Sequence, residues 1–221
     1  MNWILKTLTS SIGLKVLMSL SGLGMVGFLL AHMSGNLLVF WGPDAINGYA
    51  ESLRAYPAAL NVARAGLVVM VVVHVFTAIK LTRLNRRASP QKYAVANPNT
   101  ASAASRSMLI TGLLVLFYIF YHLAHFTWRF THPAFQDLGP YDAYTMLTQS
   151  FQSVPVSLLY IVSVILVGFH LSHGFSSAFQ SLGINHLKYT PLIKKACLAT
   201  TVIITLGFVS IPVAILTGIL S

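Results

Sequence analysis

The chain has 221 residues, 56% hydrophobic and 8% charged, with a mean hydropathy of +0.74; a soluble domain carries about 25% charged residues, so a water-soluble globule is excluded. The net charge of +10 stands at the ends of apolar runs rather than on a face open to water, which assigns it to topology and anionic lipid and leaves no role for nucleic acid as a partner. Cys197 is the only cysteine, so an intrachain disulfide, a cysteine-held iron–sulfur cluster and a C-x-x-C-H haem attachment are excluded as well.

In chain order, apolar stretches at about 14–41, 60–82, 107–130, 155–180 and 191–219 each supply the roughly 20 residues a helix needs to cross a bilayer. The predicted fold is an all-α membrane protein, a bundle of five transmembrane helices forming a single membrane domain over residues 1–221. The first stretch follows Lys6 and Lys15 as a secretory signal would, but it is too long and lacks a small-residue cleavage site, so it is kept as a span. The connections "GPDAINGYAESLRAYP" and "HPAFQDLGPYDAYTMLTQSFQSVP" hold all four acidic residues, Asp44, Glu51, Asp137 and Asp142. The opposite ends hold Lys6 and Lys15, then Arg83, Arg86, Arg87, Lys92 and Arg106, then Lys188, Lys194 and Lys195. By the positive-inside rule these ends are cytoplasmic, with the N-terminus inside and the C-terminus outside. The segment "NRRASPQKYAVANPNTASAASR" reads as a polar cytoplasmic loop, and no repeat is visible.

Histidines interrupt four of the five spans: His32, His74, His122 with His125, and His170 with His173. At 1.5 Å of rise per residue, His32 lies ~25 Å beyond Lys15 and His122 ~24 Å beyond Arg106, both in the outer half. His74 is ~9 Å before Lys80 and His170 ~22 Å past Pro155, both in the inner half. Two levels result, His32 with His122 and His74 with His170. Depth favours His122 over His125, whereas on the fourth span it slightly favours His173 over His170.

Histidine inside a membrane is costly and points to function. Two levels of facing imidazoles match the axial demands of two haem b groups, held without a covalent link. Both axial positions would then be filled, which suits electron transfer rather than oxygen chemistry. Small residues flank the histidines, among them Gly22, Gly24, Gly27, Gly35, Gly66, Gly112, Gly168, Ser172 and Gly174, as the close approach of a porphyrin would require, although glycine also serves helix contacts in membranes.

The runs "LLAHMSGNLLVFWGPDAINGYAESLR", "HVFTAIKLTRLNRRASPQKYA", "ASRSMLITG", "FYHLAHFTW" and "GFHLSHGFSSAFQSLG" resemble the single-chain, five-helix, di-haem cytochrome b anchor of succinate:quinone oxidoreductases, the family of menaquinone-linked succinate dehydrogenases and fumarate reductases. The resemblance extends from about Leu14 to the end. It implies that His32 and His122 bind the outer haem iron, and His74 and His170 the inner one. The family's fourth-helix pattern, a histidine followed four residues later by glycine, matches His170 and Gly174. It leaves His173 beside the haem edge or a propionate.

The resemblance also implies partners. A flavoprotein subunit would oxidise succinate in the cytoplasm, and an iron–sulfur subunit would dock on the basic rim. This chain, the quinone-reactive subunit, would pass electrons to quinone, with menaquinone implied, in a bacterial-type cytoplasmic membrane. The chain has neither a dinucleotide fingerprint nor cluster cysteines, so succinate oxidation belongs elsewhere in the complex. Quinone reduction consumes protons, and Glu51, the only glutamate, is the candidate donor, with Asp44 and Tyr49 nearby in sequence. Arg54 and Arg64 outside, and Lys80, Arg83 and Lys188 inside, are the cations available to haem propionates. Two other readings share the histidine pattern: a di-haem cytochrome of the nitrate reductase gamma type, and a non-redox transporter or proton relay.

Overall fold

In lipid every backbone N–H and C=O must be satisfied within the protein, and a helix does this locally. The computed structural model describes residues 3–88, 103–131, 135–139 and 141–220, and among these the regular structure is entirely helical. In chain order the elements are α1 Trp3–Thr9, α2 Ser11–Leu37 with a 3₁₀ extension Leu38–Trp41, α3 Pro43–Arg54, α4 Pro57–Ala88, α5 Ala103–His122 continuing into a π turn Leu123–Thr127, α6 Ala143–Gln152, α7 Val154–Ser181 and α8 Thr190–Leu216. Five segments are long and apolar enough to span a membrane: Ser11–Trp41, Pro57–Ala88, Ser107–Thr127, Val154–Ser181 and Thr190–Leu216. The expected five-span, all-α architecture is thus present, the second span running on past residue 82 to Ala88. Of the polar loop expected over 85–106, residues 85–88 continue α4 and 103–106 open α5, while 89–102, with Lys92, lie outside the described residues.

The two acidic connections are more structured than their polarity suggests. Gly42, at φ +93°, turns the chain sharply, a conformation open to glycine. Pro43 then opens α3, and Asp44 sits in its first turn, both favourable at a helix N-terminus. Asp142 caps α6 by accepting from the Thr145 N–H at 3.0 Å, which contributes about 1 kcal/mol. Asn47 joins the two helices: its Oδ1 accepts from the Tyr144 N–H at 3.0 Å and its amide donates to Asp142 at 3.4 Å. Each short helix buries one apolar face, Ile46 from α3 and Leu147 and Phe151 from α6, in a cluster with Val39, Tyr160, Ile211 and Ile215. These helices define what we term the upper end of the bundle.

Below them α2, α4, α5 and α7 form a four-helix ring. Helix α2 packs on α4 and α7, α5 packs on α7, and the α4 to α5 contact is slight. This leaves α2 diagonal to α5 and α4 diagonal to α7. Helix α8 leans on α7 and α2 from outside through Val26, Met33, Leu171 and Ile204, with Leu30 and Phe208 around them. Helix α4 fully buries only Thr77 and Leu81, so the ring's packing is least complete on the side of α4.

Candidate functional site

The diagonals of the ring carry the histidines. His32 on α2 faces His122 on α5 with ring centroids 5.8 Å apart and planes at 79°. His74 on α4 faces His170 on α7 at 6.4 Å and 70°. His74 lies against Met18, Ser21 and Gly22 of α2, and His170 against Thr111 and Gly112 of α5. Gly22 to His32 and Gly112 to His122 are each ten residues, or ~15 Å of helix. Both helices therefore give the same separation between an upper pair, His32 with His122, and a lower pair, His74 with His170.

Hydrogen bonds define the tautomers of the lower pair. His74 Nδ1 lies 3.1 Å from the Met18 carbonyl oxygen, which only accepts, so Nδ1 carries the proton. Thr111 Oγ1 donates to the Ser107 or Met108 carbonyl, at 3.1 and 3.2 Å, and so presents a lone pair to His170 Nδ1 at 3.2 Å. In both rings the Nε2 lone pair is left available, the arrangement that ligating histidines adopt when their other nitrogen donates to a neighbouring acceptor.

The upper pair is held differently. His32 stacks on Phe28 at 5.2 Å and 11° and touches Phe208 at 5.7 Å, while the Asn36 amide nitrogen stands 3.3 Å from its Nδ1. His122 is bordered by Phe126, Tyr118 and Tyr160 at 5.6, 5.9 and 6.1 Å. Its Nδ1 is buried and meets no hydrogen-bond partner among the described residues.

The neighbouring histidines are engaged otherwise. His125, only 2% exposed, is turned toward α6 and α7 by the π turn that follows His122, where the Trp128 N–H donates to Leu123 at 2.8 Å. The Ser150 hydroxyl donates to the Met146 carbonyl and so accepts from His125 Nε2 at 3.3 Å, and the Tyr160 hydroxyl donates to His125 Nδ1 at 3.0 Å. Both ring nitrogens of His125 thus serve an internal network. His173 Nε2 pairs with Ser177 of its own helix at 3.2 Å.

The remaining predicted residues fall away from the pairs. Glu51 is exposed in the last turn of α3. Tyr49, two positions before it and hence about 200° around the helix, turns inward against Gly35. The Arg54 guanidinium lies 5.5 Å from the Tyr141 ring; partial burial, then the nearby Arg129 and Arg64 cations, push it below the ordinary arginine value. Lys80 covers Phe76 at 5.8 Å and Lys188 covers Tyr189 at 5.4 Å, and Arg64 and Arg83 are exposed. Of the glycines near the histidines, Gly22 and Gly112 abut imidazoles, whereas Gly24 backs Met70 and Gly168 backs Thr205 of α8.

The donor set discriminates between kinds of metal centre. Among the described residues no group of three or more His, Cys, Asp or Glu converges as a metal site, so a bare zinc ion would lack its usual protein ligands. Two imidazoles are what a porphyrin iron needs, because the macrocycle supplies the other four nitrogens. Two metal–imidazole bonds of about 2 Å on opposite sides of one ion set ring centroids roughly 6 Å apart, a value that 5.8 and 6.4 Å bracket. The residues present therefore fit two bis-histidine haems.

Fold and site together define a multi-pass helical membrane protein with two stacked pairs of intramembrane imidazoles. The succinate dehydrogenase/fumarate reductase transmembrane subunit family model matches residues 82–209. The chain belongs to this family and is the membrane subunit of an oxidoreductase complex. The match covers His122 and His170 and leaves out His32 and His74, which the fold brings opposite them. No curated protein and no solved structure matches the chain.

Proposed function

We propose that this chain is the di-haem cytochrome b anchor of a succinate:quinone oxidoreductase, carrying electrons between an iron–sulfur subunit and membrane quinone. His32 and His122 would hold the upper haem b, and His74 and His170 the lower one. The observation that carries this reading is the pairing of imidazoles across both diagonals of one four-helix ring, ~15 Å apart along two separate helices. Bound by these histidines, the haems would supply reversible one-electron chemistry. The protein's contribution is to orient the imidazoles, keep Nε2 deprotonated at the lower level and exclude water with aromatic and aliphatic side chains.

The basic end, with Lys6, Lys15, Arg83, Arg86, Arg87, Lys188, Lys194 and Lys195, supports a cytoplasmic orientation for the lower pair and a docking face for the iron–sulfur and flavoprotein subunits. In this orientation the N-terminus is cytoplasmic and the C-terminus outside, in a bacterial-type cytoplasmic membrane. Menaquinone would then react beside the upper pair. An apolar groove of about 270 Å³ between α5 and α7, bordered by Tyr118, Tyr121 and Ser163, offers a headgroup site next to His122, and Glu51 is the proposed proton donor at that end.

A pyridine haemochrome assay on the purified chain is expected to give two haem b per polypeptide, with low-spin bis-histidine spectra; a colourless protein made with ample haem would overturn the reading. In the assembled complex succinate should reduce the haems. Glu51→Gln should keep both haems and lower quinone turnover by about 100-fold or more if the carboxyl is the acid. Unchanged turnover would assign Glu51 to solvation alone.

A further inference from the structure

The lower imidazoles rest in seats of the same design. His74 meets Ser21 and Gly22 of α2, and His170 meets Thr111 and Gly112 of α5. Each hydroxyl donates to carbonyls of its own preceding turn, Ser21 to Leu17 or Met18 at 2.8 and 3.0 Å and Thr111 to Ser107 or Met108. Each oxygen therefore turns a lone pair toward Nδ1. Each glycine admits the ring edge: a Cβ on Gly22 would stand 3.3 Å from His74 Cε1, and one on Gly112 the same distance from His170 Cε1. The seats occupy the same register, since Ser21 precedes His32 and Thr111 precedes His122 by eleven residues.

We propose that Ser21–Gly22 and Thr111–Gly112 are one repeated hydroxyl–glycine cradle, in which Ser21 and Thr111 are positioning residues for the lower haem's ligands. This rests on the haem reading above. Side-chain hydrogen bonds between membrane helices are individually weak, too weak to be the reason the helices pack. Their effect is on the ring: donation from Nδ1 fixes orientation and tautomer and makes Nε2 more basic, and removing such a partner typically weakens metal binding by about 10- to 100-fold. The two seats are unequal. His74 also donates to the Met18 carbonyl at 3.1 Å, with Ser21 farther at 3.4 Å, so the Thr111 hydroxyl matters more.

The test uses the full chain with haem, carrying Thr111→Val, Thr111→Ser, Ser21→Ala or, as a control, Thr201→Val. Thr201 also bonds a carbonyl of its own helix, Cys197 at 2.8 Å. Haem content, redox titration and low-spin EPR report on both haems, assigned by the ligand variants that remove each. Thr111→Val is expected to weaken the lower haem by about 10- to 100-fold and raise its potential, because a less basic imidazole favours ferric iron less. Thr111→Ser should restore wild-type behaviour, Ser21→Ala should shift the lower haem less in the same direction, and Thr201→Val should shift neither. An unmoved lower haem in Thr111→Val, or an equal shift from Thr201→Val, overturns the cradle while leaving the haem reading intact. Should Thr111→Val fail to accumulate, Ser21→Ala decides by itself, an unmoved lower haem counting against the cradle. A colourless wild-type chain removes the haem reading and the cradle with it.

Discussion

The two histidine pairs lie in one bundle on its two diagonals, α2 with α5 and α4 with α7, yet they are held by different forces. The lower rings are tied through Nδ1 to Met18, Ser21 and Thr111. The upper rings are wedged among Phe28, Phe208, Tyr118 and Phe126, and His122 Nδ1 has no partner among the described residues. Aromatic packing sets the plane of a ring but not which nitrogen carries the proton, whereas a hydrogen bond to an acceptor sets both. The lower level is thus tied through acceptors at Nδ1, and the upper level chiefly by aromatic packing, with the Asn36 amide beside His32 as its polar contact.

Removing a ligand breaks this comparison most severely. His74→Ala or His170→Ala should empty the lower level and His32→Ala or His122→Ala the upper, each leaving one haem of two by haemochrome assay, while His173→Ala keeps both. Loss of the lower haem in His173→Ala with His170→Ala harmless would reverse the ligand choice. Next in size, His125→Ala takes the acceptor from the Tyr160 hydroxyl in a dry interior and should cost about 1–3 kcal/mol, read as a lower Tm in detergent with both haems retained; a lost upper haem would make His125 a ligand instead. Phe28→Leu removes a stacked ring worth about 0.5–1.5 kcal/mol and should shift the EPR signal of the upper haem alone. A shift at both levels would mean that the two are not held independently. The smallest effect is expected from Asn47→Ala, which cuts the α3 to α6 link, lowers stability by about 1 kcal/mol and moves neither haem signal.

The short helices show where reading from hydropathy stops. Spans α2, α4, α5, α7 and α8 announce themselves because each has enough apolar residues to fill a bilayer by itself. Helices α3 and α6 contain Asp44, Glu51 and a run of polar residues, so they look like loops until Ile46, Leu147 and Phe151 are seen to share one cluster. The cradle escaped for a related reason. Ser21–Gly22 and Thr111–Gly112 are common dipeptides in membrane helices, and their eleven-residue spacing from a histidine gains meaning only once a second helix brings an imidazole against each.

Composition and helical rise are local properties, so the amino-acid order alone determined that the chain lives in lipid, how many times it crosses, and the depth at which each histidine lies. Which imidazole faces which is a matter of neighbours far apart in sequence. Depth slightly favours His173 over His170; the packing of α7 turns His170 to His74 and leaves His173 to Ser177. Nor could counting residues anticipate the π turn that points His125 at Tyr160. Rotation about a helix axis and the choice of partner helix are set by side-chain packing across the bundle, and that is information only the tertiary structure holds.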